Sequence, residues 1–298
     1  MTVHFPGGAM NIRTRIEQEL GIVLAAHEAP GVPPLLGQAL RHAVFPGGAR
    51  VRPRLCLAVA QACAGAEMQT ALAAATSIEL LHCASLVHDD LPCFDDADLR
   101  RGKPSVHKAF GERLAILAGD GLIVLAFQNL LRVGSSSMQR LAPLLQVIGA
   151  SVSAVNGIVA GQAWECEPAL DLGHYHRAKT GALFAAATMA GAISAGREPE
   201  AWRACGERLG EAFQVADDLR DVIASVDELG KPPGKDAALD RPSAVRDLGL
   251  HGAMRRLDEL LRETRELIPA CEGGELLCRL IASETQRLLP KELARRAA

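Results

Sequence analysis

Apolar residues recur at helical spacing along almost the whole chain. The pattern predicts helices over roughly 10–28, 34–44, 51–64, 70–90, 106–131, 138–164, 174–195, 199–224, 242–268 and 275–290. The breaks carry turn residues: Ala29-Pro30-Gly31, Pro46-Gly47-Gly48, Gly196 and the stretch from Gly230 to Gly234. No run alternates apolar and polar residues long enough to predict a strand. Gly134-Ser135-Ser136-Ser137 reads as an inter-helix loop, and nothing else divides the chain, so residues 1–298 are expected to form one all-α domain. Two of the helices, 70–90 and 138–164, are apolar around their circumference, which predicts that they lie at the centre of a helical bundle.

Composition supports the helical reading. Aromatic residues are only 3% of the 298, and Ala and Leu, the strongest helix formers, abound. Lys and Arg number 32 against 35 Asp and Glu, a balance that excludes a general nucleic-acid coat or a polybasic membrane binder. The eight cysteines show no Cys-x-x-Cys spacing. They read as buried thiols of a reducing compartment, with neither a zinc site nor a disulfide framework. The first residues lack the apolar core of a secretory signal. The longest uninterrupted apolar runs, such as 122–127, fall far short of the ~20 residues of a spanning helix. A soluble, cytoplasmic protein with no transmembrane segment is expected.

Two acidic clusters change the picture. His88-Asp89-Asp90-Leu91-Pro92-Cys93-Phe94-Asp95-Asp96 ends one apolar helix, which Pro92 should terminate. Phe213-Gln214-Val215-Ala216-Asp217-Asp218-Leu219-Arg220-Asp221 follows another apolar stretch, and its Asp217 and Asp221 share a helix face. Crowded carboxylates repel, and a cation relieves the repulsion. Mg²⁺ suits such a site because it takes a few carboxylate oxygens and completes its shell with water and phosphate. Solvated helix ends would explain one such cluster; two matching clusters favour a metal. The nine histidines, His82, His88 and His107 near the first cluster among them, are poorer Mg²⁺ ligands, and His88 reads as a hydrogen-bonded core residue. Cations lie close in sequence: Arg100-Arg101-Gly102-Lys103 directly after the first cluster, Gly47-Gly48-Ala49-Arg50-Val51-Arg52-Pro53, Lys179-Thr180-Gly181, and Lys231. Arg presents a planar fork suited to phosphate oxygens. The pattern suggests a diphosphate between Mg²⁺ and Arg, whereas no Walker or dinucleotide fingerprint supports ATP or NAD.

With these segments in this order, nearly the whole chain resembles the isoprenyl diphosphate synthases, the polyprenyl synthetase family. HDDLPCFDDADLRRGKPSVH resembles the first aspartate-rich motif in its bacterial and plant form, FQVADDLRD the second, GGARVRP the family's Gly-Gly-Lys-Arg-x-Arg-Pro, and KTGALF its Lys-Thr segment. The resemblance implies an all-α bundle around a deep apolar cavity, and head-to-tail condensation of an allylic diphosphate with isopentenyl diphosphate. It implies that Asp89 and Asp95, supported by Asp90, bind Mg²⁺ on the allylic diphosphate, and that Asp217, with Asp218 and Asp221, holds Mg²⁺ on the opposite wall, about three ions per active site. It further implies that Arg100, Lys179, Thr180, Gln214 and Lys231 contact the allylic diphosphate. Gly48, Arg52, His82 and Arg101 would form the isopentenyl diphosphate site, and Gln162 matches the family's Gly-Gln motif.

Some positions depart from the pattern. Ala49 stands where the family has Lys, with Arg50 adjacent as a substitute cation. Glu165 replaces an Asp. Arg241 and Ser243 replace Lys and Thr beyond the retained Lys231 and Asp236. Product length in the family follows the residue five before the first Asp. Here that residue is Ala84, beside Ser85, with Leu80 and Leu81 a turn deeper, which implies geranylgeranyl diphosphate. A farnesyl diphosphate synthase, a weakly active or regulatory subunit suggested by Ala49, and a terpene cyclase remain alternatives; the isopentenyl-site residues and the second Asp motif argue against the cyclase. The family also implies a homodimer.

Overall fold

The computed structural model describes residues 2–5, 8–45, 47–135, 137–168, 171–223 and 243–288. Helices dominate: α1 (Ile12–Ala25), α2 (Pro34–Val44), α3 (Val51–Ala62), α4 (Met68–Asp89), α5 (Val106–Phe110), α6 (Glu112–Leu131), α7 (Met138–Ser151), α8 (Ile158–Trp164), α9 (Leu172–His176), α10 (Ala182–Ser194), α11 (Arg203–Ile223), α12 (Ala244–Glu266) and α13 (Gly274–Leu288). Against the expectation of no strands, two short antiparallel ribbons occur. β1 (Thr2–Phe5) pairs with β2 (Gly8–Asn11), and β3 (Leu99–Arg100) with β4 (Lys103–Pro104).

α4 is the axis of the bundle, packed by α3, α6 and α10. Two buried polar side chains join α4 to α6: Ser77 Oγ donates to the Ala126 carbonyl at 2.8 Å, and Asn129 Nδ2 to the Ala73 carbonyl at 2.9 Å. The second central helix is not 138–164, as its apolarity predicts, but α10, buried from Leu183 through Ser194. Small residues explain this: a Cβ on Gly191 would lie 2.5 Å from the Cys56 carbonyl oxygen, so α10 and α3 meet backbone to backbone. In α7 only Leu144, Ile148 and Ser151 are buried.

Two predicted helices are interrupted. The 106–131 stretch breaks at Gly111, whose φ of 84° is left-handed. The 138–164 stretch breaks over 152–157. There Ser153 Oγ accepts the N–H groups of Val155 (3.3 Å) and Asn156 (3.5 Å), and a Cβ on Gly157 would collide with the Ser153 backbone. This local side-chain competition with the helix ladder is what the apolar periodicity conceals. Between α9 and α10 the residues Arg177–Gly181 form one π-helical turn, a feature that often marks a functional position.

By length and composition α4 and α6 could each cross a bilayer, contrary to the reading from uninterrupted apolar runs. α4 is the core of the bundle. α6 leaves Leu117, Val124 and Leu131 exposed, one face repeating every seven residues.

Candidate active site

The end of α4 is folded back by backbone hydrogen bonds. Asp95 N–H donates to the Asp89 carbonyl (2.9 Å), Asp96 N–H to that of Leu91 (3.1 Å), and Ala97 N–H to that of Asp90 (3.2 Å). This coil returns Asp95 to the neighbourhood of Asp89. Asp90 points inward and is buried. Arg100, on β3, reaches both its oxygens through Nε at 3.0 and 3.2 Å. The tight turn that aims this arginine needs left-handed backbone at Arg101 (φ 54°) and Gly102 (φ 75°). Asp90 thus acts as the anchor of Arg100. Burial lifts the Asp90 carboxyl above its ordinary range, with Arg100 opposing.

α8 meets the π turn at Gly161, where a Cβ would sit 2.5 Å from the backbone of Lys179. That close approach places the next residues. Gln162 Nε2 donates to Asp89 Oδ1, and Lys179 Nζ donates to Glu165 Oε1, which also accepts the Tyr175 hydroxyl at 2.6 Å. The Asp89 carboxyl is pushed up to about 6, chiefly by burial; Lys179 opposes this and Asp95 reinforces it.

The isopentenyl-site residues also converge. Arg52 Nη1 donates to His82 Nε2 at 3.3 Å, and its guanidinium stacks 4.6 Å from the centroid of Phe184. Burial lowers Arg52 to about 10, Glu79 opposing and Arg101 adding to the shift. Burial and the same arginines hold His82 well below the usual imidazole range, so it is neutral and accepts. Arg52 Nε is buried without a partner among the described residues. A Cβ on Gly48 would lie 3.1 Å from Arg101 Nε, so this glycine admits the guanidinium.

Arg50 corrects an expectation. Its side chain is buried: Nη1 meets Glu79 at 2.6 Å, Nε meets Glu17 at 3.0 Å, and Nη2 donates to the Val44 carbonyl at 2.7 Å. A left-handed backbone at Arg50 (φ 53°) turns it inward, and a Cβ on Gly47 would collide with its guanidinium. It holds the loop to α1 and α4 and cannot replace a lysine at 49.

On α11 the residues Gly206, Gly210, Gln214 and Asp218 repeat every four and line one face. A Cβ on Gly206 would lie 2.5 Å from Ala185 Cα, and one on Gly210 2.6 Å from Gly181 Cα. The two glycines press α11 onto α10 and the π turn. Gln214 Oε1 therefore accepts the Thr180 hydroxyl at 2.8 Å, and its Nε2 donates to Asp218 Oδ1 at 3.0 Å. Asp218 Oδ2 accepts the Ala244 N–H at 2.7 Å, which caps α12. Asp218 is thus a buried brace and not a displayed metal ligand, against the expectation. Asp217 is the open carboxylate of this motif, its side chain 62% exposed, while Asp221 is buried.

Two interactions link these pieces. Asp217 acts electrostatically on Arg52, and the Thr180–Gln214 bond ties the π turn, whose Lys179 acts on Asp89, to α11. Among the described residues no three His, Cys, Asp or Glu side chains converge as a closed cage. The candidate donors are the carboxylate oxygens of Asp89, Asp95 and Asp217, with Asp89 raised chiefly by burial and further by Asp95. This fits Mg²⁺ that completes its shell with phosphate and water. His88 is half-buried on Gly119 and 3.7 Å from Asp120. Lys231, Asp236 and Arg241 lie outside the described residues. Sequence reasoning gave no role to Tyr175 or Gly161. The single tyrosine of the chain, one turn before the Lys-Thr pair, was the available signal.

The polyprenyl synthetase family model matches residues 33–269. The chain is 48% identical over 287 residues to a geranylgeranyl diphosphate synthase of Cereibacter sphaeroides, covering 96% of this chain and 100% of that one. It is 48% identical over 280 residues to a geranylgeranyl diphosphate synthase of Rhodobacter capsulatus, covering 94% and 97%. A geranyltransferase of Helicobacter pylori, solved with magnesium and isoprenyl diphosphate, superposes with a TM-score of 0.77 at 29% identity, over 96% of this chain and 100% of that one. Family model, full-length relatives and fold agree, and the chain belongs to the polyprenyl synthetase family.

Proposed function

We propose that the chain is a trans-isoprenyl diphosphate synthase that condenses an allylic diphosphate with isopentenyl diphosphate to give geranylgeranyl diphosphate. What supports this is the pair of aspartate-rich motifs at the end of α4 and on α11, together with a separate cluster of anion donors in which Arg52 meets His82 and Arg101 lies against Gly48. Two anion clusters suit two diphosphates. A cyclase needs only one.

Asp89, Asp95 and Asp217 would hold Mg²⁺, which supplies charge neutralisation of a diphosphate leaving group when bound. Asp90 fixes Arg100, and Gln162 and Glu165 fix Asp89 and Lys179, so that cationic donors are preorganised where negative charge grows. Arg52, neutral His82 and Arg101 hold isopentenyl diphosphate so that its double bond lies beside the allylic carbon; the allylic C–O bond breaks with release of diphosphate, the double bond forms the new C–C bond to that carbon, and this positioning supplies much of the rate. The apolar bundle below excludes water from the carbocation. The proton lost afterwards goes to the departing diphosphate.

Length follows from α4. Ser85, four residues before Asp89, lies directly beneath it and is half-buried. Ala84 and Leu81 beside it are buried. Small side chains at 84 and 85 leave the chain room to grow past farnesyl length. The eight free thiols support a reducing, cytoplasmic setting, and the apolar face of α6 supports a homodimer.

The test is incubation of the purified chain with Mg²⁺, labelled isopentenyl diphosphate and an allylic primer, followed by chromatography of the dephosphorylated products. Geranylgeraniol is expected, and Ala84→Phe should shorten it. Failure to incorporate label would refute the synthase reading; an unchanged product from Ala84→Phe would refute the assignment of product length to positions 84 and 85.

A further inference from the structure

We propose that Arg13, on α1, is an additional ligand of isopentenyl diphosphate in this chain, supplying the cation that the 47–53 loop does not present at Ala49. The inference rests on the reading of Gly48, Arg52, His82 and Arg101 as the isopentenyl diphosphate site.

The loop carries two arginines, but they have different partners, Arg50 the acids of the core and Arg52 His82. Arg50 is turned into the core and held by Glu17, Glu79 and the Val44 carbonyl. Ala49 offers a methyl group. Of the loop's own side chains only Arg52 is left to meet an anion, helped by Arg101 from the next turn. Two guanidinium groups leave part of a diphosphate's charge and several of its oxygens unmatched.

Arg13 approaches the same loop from outside. Its Nη2 donates to the Gly48 carbonyl at 3.4 Å, a long contact that a better acceptor would readily displace. The other side of Gly48 carries Arg101, 3.1 Å from where a Cβ would stand. One glycine therefore separates two guanidinium groups. Asn11 fixes the start of α1 by accepting the Arg13 backbone N–H at 2.9 Å, which sets where this side chain emerges. Arg13 lines an open cavity of about 660 Å³ with Gly47, His42 and Lys103. His42 and Lys103 also line the adjoining cavity that holds Arg100 and Arg101. The acid in the larger cavity, Glu17, is engaged by Arg50, and Arg41 by Glu28 at 3.0 Å. What remains is a positive rim beside the isopentenyl site, in which Arg13 and Lys103 are both exposed and Arg13 alone reaches the Gly48 carbonyl.

Steady-state kinetics with isopentenyl diphosphate varied at saturating allylic diphosphate test this. Arg13→Ala should raise KM for isopentenyl diphosphate roughly five- to ten-fold, as expected for a charge-assisted hydrogen bond at an open site, with kcat and the allylic KM changed by less than about two-fold. Ala49→Lys placed in the Arg13→Ala chain should restore the lost affinity, and Arg13→Lys should retain most of it. Arg101→Ala serves as the control for the site itself. If Arg101→Ala raises the isopentenyl KM and Arg13→Ala does not, the proposal is overturned and the site reading stands. If neither variant moves that KM, the site reading fails and takes the proposal with it. A loss spread over both substrates' KM values, or one that Ala49→Lys does not restore, makes Arg13 structural and also overturns the proposal.

Discussion

Arg50 and Arg52 sit two residues apart and do opposite work. Arg50 neutralises Glu79 and Glu17 in the core, while Arg52, beside His82, keeps a buried N–H without a partner among the described residues. Removing Arg50 would strand Glu79, so Arg50→Ala should cost about 3–5 kcal/mol in urea unfolding. Unchanged stability with a raised isopentenyl KM would instead make it a ligand. His176 offers a pH test. Burial holds its imidazole down at about 4, Glu211 opposing. Unfolded, it titrates near 6.5. The fold therefore favours neutral His176, its contribution is complete above pH 6.5, and stability falls as pH drops from there to 4. At about 1.4 kcal/mol per pH unit, the full loss is of order 3 kcal/mol, and His176→Phe should flatten the slope between pH 6.5 and 4. An undiminished slope would exclude His176 as its source. At this scale the sequence is legible in part. The residue types and order of GGARVRP single out phosphate donors, but which arginine faces in depends on one left-handed residue and on acids 29 and 33 positions away.

At the scale of elements, the site depends on how closely helices approach. Gly161 lets α8 touch the π turn, Gly210 lets α11 do the same, and Gly206 lets α11 press on α10. Gly161→Ala should move Gln162 from Asp89 and Glu165 from Lys179, lowering kcat by about a hundred-fold, the scale of a 1 Å misplacement. Gly21→Ala, on α1 with open space around it, should instead add about 0.5–1 kcal/mol of stability. Equal, small effects of the two on kcat would remove the argument from close approach. Helix existence was readable because the 3.6 period is strong; the breaks at Gly111 and 152–157 were not, because a positive φ and a Ser153 turn leave the periodicity intact. The centrality of α10 was hidden for the related reason that small residues look unremarkable in an Ala-rich chain, though their lack of volume is what lets backbones meet.

For the whole molecule, one apolar surface exposed among the described residues is the face of α6, and a second copy of the chain is the proposed cover. Leu117→Glu with Val124→Glu should shift the mass seen by light scattering from dimer to monomer, since burying charge in an apolar interface is costly. A monomeric parent protein would contradict this. The two aspartate-rich motifs were readable in the sequence; their convergence on one diphosphate is proposed, since it depends on how α4, the π turn and α11 are assembled. That convergence is the central claim. Crystals grown with Mn²⁺ in place of Mg²⁺ and an unreactive allylic thiolodiphosphate would test it through anomalous scattering. The account predicts metal peaks that share diphosphate oxygens with Asp89 and Asp95 on one wall and with Asp217 on the other. Metal on one wall alone, or a diphosphate bound away from both, would contradict it.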